Sequence, residues 1–315
     1  MGMRVVIAEF MEEAAVASLQ RRFDTLYDAS LVERRGELLA SLEAADALIV
    51  RNRAQVDGDL LAVAPQLKVV GRLGVGLDNI DLPACEARKI EVISARGANA
   101  LAVAEYVIGA AMMLLRGVYL GTEAVAAGEW PRGALGSGRE LAGKTLGVVG
   151  FGSIGQLTAK LARALGMIVI GFDAQIPASA ALWSEQHTTP RRFDDLLRDA
   201  DVVSLHVPLT SVTRHLIDAG KLALMKRDAI LINTARGGVV DEAALATALK
   251  AGLLAGAALD VFETEPLPAG SPLAGCPGLI LTPHIGGLTR ESNRRVSTMI
   301  ADKVTAALAA RGADA

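Results

Sequence analysis

Short runs of consecutive apolar, largely β-branched residues alternate along this chain with longer stretches whose apolar positions recur at helical spacing. Arg4–Ala8 (RVVIA), Ala47–Val50 (ALIV), Leu67–Gly71 (LKVVG) and Ile90–Ile93 read as strands, and Met11–Arg22 reads as a helix. Runs that are apolar throughout, rather than alternating, mark parallel strands covered on both faces. Alternation of strand and helix then implies α/β units with right-handed crossovers. A long helical stretch, Ala100–Leu120, interrupts this rhythm, and a loop with Gly and Pro, Gly128–Gly138, follows it. A second α/β series starts after the loop. Its strands are expected at Thr145–Val149, Met167–Phe172, Val202–His206, Ala229–Asn233, Gly256–Val261 and Leu279–Thr282. The last segment, Glu291–Arg311, is helical again. Two sequential halves are the simplest division. A discontinuous small domain, to which the last helix returns, is the better one, although periodicity alone does not decide it.

Composition narrows the class. At about 150 residues per domain, 315 residues make roughly two domains. A hydrophobic fraction of 51%, a charged fraction of 21% and a mean hydropathy of +0.36 exclude a disordered chain. A net charge of −3 and a pI near 5.9 provide no basic field to gather nucleic acid. The segment Met1–Phe10 lacks the long apolar region and small-residue cleavage site of a signal peptide. The longest apolar run, Tyr106–Leu115, falls well short of the ~20 residues of a membrane span. Cys85 and Cys276 are too few for a disulfide framework and fit a reducing compartment, or a chain that simply needs no bridges. These features predict a cytoplasmic protein with no membrane segment and no metal site.

Candidate chemistry begins at Gly150-Phe-Gly-Ser-Ile-Gly155, a G-x-G-x-x-G turn. The pattern alone is weak, but here it follows the strand TLGVV and opens an amphipathic helix, Gln156–Leu165. Gly150 permits the tight turn, Gly152 lets backbone approach a pyrophosphate, and Gly155 lets helix and strand pack closely. Backbone N–H groups at the helix start, including those of Ser153 and Ile154, would receive phosphate oxygens. Asp173 ends the next strand, where its carboxylate can accept hydrogen bonds from the adenosine ribose and would repel a 2′-phosphate. No Arg or Lys follows it before Arg191. The expected cofactor is therefore NAD rather than NADP.

Three further residues follow strands directly: Arg236 in NTARGG, Glu265 in DVFETEP and His284 in TPHIGG. In an open parallel sheet ligands bind beyond the carboxyl ends of strands. Arg236 can grip a carboxylate with paired N–H bonds and polarise an adjacent carbonyl. His284 can move a proton near neutral pH. Glu265 beside the imidazole would fix its tautomer and favour its charged form. Gly286 and Gly287 leave room for a ligand next to the histidine. This set suits interconversion of a 2-hydroxy acid and a 2-oxo acid, with the nicotinamide carrying the hydride. His187 in a polar loop and His215, a helix-boundary contact, are assigned no chemistry, and His206 lines the cofactor cleft.

The motifs GRLGVGLDNIDL (Gly71–Leu82), NALAVAEYVIG (Asn99–Gly109), GKTLGVVGFGSIG (Gly143–Gly155), SLHVPLT (Ser204–Thr210), LINTARGGVVDEAAL (Leu231–Leu245), ALDVFETEP (Ala258–Pro266) and TPHIGG (Thr282–Gly287) occur in this order. Together they resemble the D-isomer-specific 2-hydroxyacid dehydrogenases, a family that includes phosphoglycerate, glyoxylate/hydroxypyruvate and D-lactate dehydrogenases. The resemblance implies an α/β fold of two Rossmann-like, doubly wound domains. A discontinuous substrate-binding, flavodoxin-like domain would span 1–98 plus 285–315, around an NAD-binding Rossmann domain of 99–284. It implies that Arg236, Glu265 and His284 are catalytic. It also implies cofactor contacts from His206, Val207, Pro208, Thr234, Ala235 and Arg236, and from Asp260, His284, Gly286 and Gly287. The backbone of Val75 and Gly76 would hold the substrate carboxylate. Domain closure would expel water from the site. The stretch 100–120 resembles the family's dimer-contact region, so a homodimer is expected. The chain stops soon after its last helix, and serine-type allosteric control is not expected.

Arg51 and Asn52 match positions where phosphoglycerate-type members contact substrate, and Arg53 and Arg72 are close by in sequence. Arg72, like Arg51 and Asn52, is assigned to substrate binding, whereas structural ion pairs are the competing reading for Arg53 and Arg72. Arg132 and Arg139 add charge or cap the surface. The expectation is a substrate with a second anionic group, 3-phosphoglycerate or a sulfonate such as sulfolactate. The alternatives are a glyoxylate/hydroxypyruvate reductase and, from another class, an NAD-sensing corepressor-like binding protein. Formate dehydrogenases carry Gln in place of Glu265 and Ser-Gly in place of Gly286-Gly287, which sets them apart.

Overall fold

A computed structural model of the chain describes residues 2–313. The chain forms two compact units, Met1–Asn99 with Leu288–Ala315, and Ala100–Gly287. Met1, Asp314 and Ala315, which the sequence reading assigns to the smaller domain, lie outside the described residues.

The first unit holds β1 (Arg4–Ile7), β2 (Asp24–Tyr27), β3 (Ala47–Val50), β4 (Val69–Arg72) and β5 (Glu91–Ser94). They form one parallel sheet in the order β2-β1-β3-β4-β5. Successive side chains point to opposite faces. Val5, Ile7, Ile49 and Val69 thus meet one apolar layer, and Val6, Leu48, Val50 and Val70 another. The terminal helix, Arg290–Ala313, returns to this sheet and places Val296, Ile300, Val304 and Leu308 in the first layer. Gly71 on β4 makes the approach possible: a Cβ there would come within 2.9 Å of both Ile300 and Val304. The strand β2 is absent from the apolar-run reading because DTLY is an edge strand, half-buried at best.

The second unit holds β6 (Thr145–Val149), β7 (Ile168–Phe172), β8 (Thr189–Pro190), β9 (Val202–Leu205), β10 (Ile230–Asn233), β11 (Gly256–Leu259) and β12 (Leu279–Leu281). Its sheet runs β12-β11-β10-β9-β6-β7-β8, with every pair parallel. From the central β6 the chain winds outward through β7 and β8, then crosses to β9 and winds the other way. That is the doubly wound Rossmann order, with its switch point between β6 and β9. The helices Ala100–Arg116 and Ser153–Ala164 cover one face together, with Val107, Ala111, Ala159 and Ala162 against Leu146, Val148 and Ile232. The helix predicted over 100–120 ends at Arg116, because Gly117 turns left-handed (φ 63°); a 3₁₀ turn, Val118–Leu120, follows. The expected loop Gly128–Gly138 contains a short helix, Arg132–Leu135. Among the described residues no helix is long and apolar enough to cross a membrane.

Ile300 is fully buried under the first sheet. Ile300→Ala is expected to destabilise the first unit by about 2–5 kcal/mol, read as a lower urea midpoint at unchanged slope.

Candidate active site

The second unit gathers its chemistry at the carboxyl ends of its strands. After β10, Asn233 closes a turn: its Oδ1 accepts from Ala235 N–H at 3.0 Å, and its Nδ2 donates to Arg236 O at 3.0 Å. Arg236 is half-buried, and its Nη1 donates to Ala235 O at 2.6 Å. After β11, Phe262 N–H donates to Glu265 Oε1 at 3.1 Å. After β12, His284 presents Nδ1 to Glu265 Oε2 at 2.8 Å.

Burial alone would raise the Glu265 carboxyl. The hydrogen bond and charge of His284, the Phe262 N–H and the charge of Arg236 outweigh it and hold the group below its ordinary 4.5. Glu265 is therefore an anion near neutral pH. An anionic acceptor at 2.8 Å assigns the proton to Nδ1 and leaves Nε2 as the ring nitrogen without it. The histidine occupies the left-handed region (φ 56°), which a side chain adopts only under constraint.

Asp260 supplies that constraint. It is 2% exposed, and it accepts from Ile285 N–H (2.8 Å) and Thr282 Oγ1 (2.6 Å) on Oδ1 and from Gly286 N–H (2.7 Å) on Oδ2. Tyr106 extends the chain by donating to Thr282 Oγ1 at 2.5 Å, and burial raises its phenol pKa. A Cβ on Gly286 would sit 2.9 Å from Asp260 Oδ2, so only glycine lets the loop close this tightly. The Arg236 and Glu265 loops are also in direct contact, because a Cβ on Gly237 would lie 1.7 Å from Phe262 O.

The Gly-rich turn fits a dinucleotide. Gly150 is left-handed (φ 91°), and a Cβ there would meet His206 O at 2.6 Å. A Cβ on Gly155 would meet Gly150 O at 2.2 Å, while Gly152 faces open space. The helix starting at Ser153 has no side-chain cap. Its first N–H groups, Ser153 and Ile154 included, are thus offered to an anion rather than to a side chain. Asp173 at the end of β7 accepts from Phe151 N–H and Gln175 N–H at 2.8 Å each, which orients its carboxylate. The buried Oγ1 of Thr234 has no hydrogen-bond partner among the described residues. A cleft of about 420 Å³ beside Asp173 is walled by Phe172, Ile176, Trp183 and Pro190. Arg191 and Arg192 also line it. The expectation that no cation lies near Asp173 is therefore corrected: the turn after β8 brings in residues that look remote in sequence. Arg191 is occupied by Asp199 (3.3 Å) and Pro190 O (3.3 Å). His206 follows β9, with Nε2 2.9 Å from Ser204 Oγ; desolvation pushes its imidazole down to about 4, so it is neutral. Val207 is half-buried beside it, against Gly150, and Pro208 O accepts from Thr213 Oγ1 at 2.6 Å.

In the first unit, Arg51 and Asn52 follow β3, and Arg72, Val75 and Gly76 lie at the end of β4 and in the loop after it. Buried Glu9 shapes the Arg51 loop by accepting from Arg51, Arg53 and Ala54 N–H at 2.7, 3.2 and 3.1 Å. Arg51 Nη2 donates to Asn293 Oδ1 at 2.6 Å, its guanidinium stands 5.8 Å from the Phe10 ring centre, and burial lowers its pKa. Asn52 is exposed. Arg53 makes an exposed ion pair with Glu33 at 3.1 Å, which is its structural reading. Arg72 folds its guanidinium over Gly74. Val75 and Gly76 are half-buried. Arg139 pairs with Asp228 at 2.8 Å and caps the surface. Among the described residues no cluster could hold a metal ion.

A nucleotide-type turn, a cleft beside an acidic strand end and an Arg–Glu–His set on one Rossmann sheet define a nicotinamide-dependent oxidoreductase of the CH–OH class. The chain belongs to the D-isomer-specific 2-hydroxyacid dehydrogenases: the family's NAD-binding domain matches residues 108–286. It is 54% identical to an (S)-sulfolactate dehydrogenase of Chromohalobacter salexigens, over 98% of this chain and 99% of that one. It is 40% identical to a D-3-phosphoglycerate dehydrogenase of Methanocaldococcus jannaschii over 96% of this chain, which spans 56% of that protein. Its fold superposes on an NAD-dependent formate dehydrogenase from Staphylococcus aureus, solved with NAD, at a TM-score of 0.81. Sequence identity there is 28%, over 96% of this chain and 95% of that one. The chain is thus an NAD-dependent 2-hydroxyacid dehydrogenase.

Gly237→Ala is expected to push the Phe262 carbonyl, and Glu265 with it, out of register. A displacement near 1 Å costs about 100-fold in kcat/KM, which steady-state kinetics would show against unchanged thermal stability of the first unit.

Proposed function

We propose that the enzyme interconverts a 2-hydroxy acid of D configuration bearing a second anionic group with its 2-oxo acid, and that sulfolactate is the favoured acid. The observation that carries this is the near full-length similarity to an (S)-sulfolactate dehydrogenase. The (S) label agrees with the D series: a sulfonated methylene outranks a carboxyl in priority, so a molecule shaped like D-lactate becomes (S) when its methyl carries a sulfonate. The half-buried guanidinium of Arg51, fixed by Asn293, is the group suited to that second anion. Arg53 is committed to Glu33 and Arg72 lies over Gly74, so Arg51 is the better candidate.

NAD, when bound, exchanges the hydride with the substrate's C2. The uncapped start of the Ser153–Ala164 helix would hold its pyrophosphate, Asp173 its ribose, and Thr234 and Asp260 its nicotinamide end. In the same reading His206, Val207, Pro208, Ala235 and Gly287 line the nucleotide. Arg236 binds the substrate carboxylate and stabilises negative charge on the C2 oxygen in the transition state. His284 Nε2 gives a proton to that oxygen in reduction and takes it in oxidation. Glu265 holds the imidazole in the required tautomer. In the first unit, the Val75 and Gly76 N–H groups serve the carboxylate.

The protein is further proposed to be a cytoplasmic homodimer that uses neither nucleic acid nor membrane. Two unpaired cysteines suit a reducing compartment. Trp130 is 78% exposed, with Val118, Leu120 and Val125 also exposed after the helix Ala100–Arg116. Exposed large apolar side chains of this kind are what a protein contact would bury. Trp130→Glu is expected to yield a monomer in light scattering, and an unchanged mass would remove this patch from the interface.

Oxidation of (S)-sulfolactate, D-3-phosphoglycerate, D-glycerate and D-lactate with NAD tests the substrate. A sulfonate or phosphate substrate should lead D-lactate by at least ~10-fold in kcat/KM, about 1.4 kcal/mol of discrimination, and Arg51→Ala should erase that lead. Turnover confined to acids with uncharged side chains, unaltered in Arg51→Ala, would refute the substrate class. Arg236→Ala should lower kcat/KM by about 100-fold or more. Glu265→Gln removes the anion beside the imidazole. Its kcat/KM in oxidation should fall, because the imidazole loses the anion that orients it.

A further inference from the structure

Two acids that this chemistry does not use, Glu242 and Glu263, sit beside Glu265. Glu263 N–H donates to Glu242 Oε1 at 2.7 Å. Glu242 opens the helix Glu242–Lys250, yet the capping role belongs to Asp241, whose carboxylate accepts from Ala244 N–H at 2.9 Å. Glu242 is thereby left to the neighbouring loop. Its half-buried carboxyl is pushed above the ordinary range by burial, and further by Glu263, Asp241 and Glu265. An acid held among like charges opposes stability, and its bond to Glu263 N–H gives the placement a purpose.

The loop it touches is short and closely packed. Phe262 N–H is bound to Glu265 Oε1, Glu263 N–H to Glu242, and the Phe262 carbonyl is seated on Gly237. His215 Nε2 meets Glu263 Oε1 at 3.0 Å from the outer side. Its left-handed backbone (φ 49°) is held by His215 N–H to Gly238 O at 2.7 Å. Among these contacts Glu265 is already assigned to the reaction and Gly237 adjoins Arg236, whereas Glu242 and His215 come from outside that set.

We propose that Glu242 is a positioning residue for proton transfer: by accepting Glu263 N–H it fixes the Phe262–Glu265 loop so that Glu265 Oε2 meets His284 Nδ1. The proposal rests on the assignment of Glu265 and His284 as the proton-transfer pair. The position of an acceptor oxygen matters more here than its charge, since an amide oxygen also accepts a backbone N–H, though less firmly than a carboxylate. Without the bond, Glu263 keeps only its outer contact with His215, and Glu265 loses its register on His284. His215 acts from the same side but through a solvent-facing pair, so it contributes less.

Steady-state kinetics with the best oxo acid of the panel and NADH, alongside NADH affinity by fluorescence, test this in the full-length enzyme. Glu242→Ala should lower kcat about tenfold or more at unchanged NADH affinity. Glu242→Gln should restore kcat to within about threefold, because its amide oxygen still accepts the N–H. In a Glu265→Gln background Glu242→Ala should add less than about twofold, since coupled residues are not additive. A kcat for Glu242→Ala within twofold of the parent, no rescue by Gln, or full additivity with Glu265→Gln would each overturn the proposal. If Glu242→Ala does not fold, Glu242→Asp, one methylene too short to reach Glu263 N–H, replaces it with the same outcomes. Retained rates in both Glu265→Gln and His284→Ala would instead overturn the assignment beneath it. Loss in both of those with none in Glu242→Ala would overturn only the anchoring role.

Discussion

The Asp260 carboxylate is almost wholly out of water, and a buried carboxylate is tolerable only when its oxygens are met by donors. The donors it finds are the hydroxyl of Thr282 and the N–H groups of Ile285 and Gly286, which bracket His284. Satisfying the acid and shaping the loop are therefore one event. The left-handed backbone of His284 costs of order 1–3 kcal/mol, and the three bonds to Asp260 offset it. Once the backbone is set, the imidazole reaches Glu265, and Glu265 in turn depends on the loop seated against Gly237. The His284 imidazole is thus the last link of a chain of contacts that begins at Asp260. The resemblance assigns Asp260 to the nicotinamide; Oδ2, which among the described residues accepts only Gly286 N–H, retains lone-pair room for that contact.

Sheet topology explains why these loops belong together. In a parallel sheet all carboxyl ends lie on one edge, and reversal of strand order at β6 and β9 leaves a gap there. The turns after β6, β7, β9, β10, β11 and β12 carry Gly150, Asp173, His206, Arg236, Asp260 and His284 respectively. This much was legible in the sequence, because buried parallel strands appear as unbroken apolar runs and each chemical residue follows such a run directly. The observed strands fall within those runs or slip by a residue or two at their ends. The pieces that escaped were those without the signal. β2 is a half-exposed edge strand, and β8 is two residues long and includes Pro190. The helix stop at Gly117 was hidden because Gly inside an apolar helical pattern gives no conformation by itself.

The site was less legible than the fold, for a different reason. Arg236, Glu265 and His284 announce themselves by residue type and by their place after strands. Glu9, Asn293, Asp260 and Glu242 act through partners far away in sequence: Glu9 through backbone 42 to 45 residues on, and Asn293 through a residue 242 positions earlier. A sequence shows that an acid is present but not which N–H groups will turn toward it. The same limit misplaced the cations near Asp173. Read linearly, Arg191 and Arg192 are remote; folded, the return from β8 puts them on the wall of the cleft. Of the two, Arg191 is engaged by Asp199 and Pro190 O.

A common device recurs in both units. Glu9 after β1 binds the N–H groups of the Arg51–Ala54 loop, Asp173 after β7 binds those of Phe151 and Gln175, and Asp260 after β11 binds those around His284. Each is a side-chain acid at a strand's carboxyl end, holding the backbone of a loop that bears a functional group. The physical logic is economical. Loops past the strands have left the sheet's hydrogen-bond ladder, so their N–H groups need acceptors. A carboxylate serves two or three at once and, being charged, holds each more firmly than a neutral acceptor would. The negative charge it brings also favours cations nearby, as Glu9 does for Arg51. Loop rigidity and the local field around the functional groups therefore come from the same side chains. Replacing one of these acids should alter geometry and electrostatics together, and only an amide substitution, which keeps an acceptor and removes the charge, can separate the two.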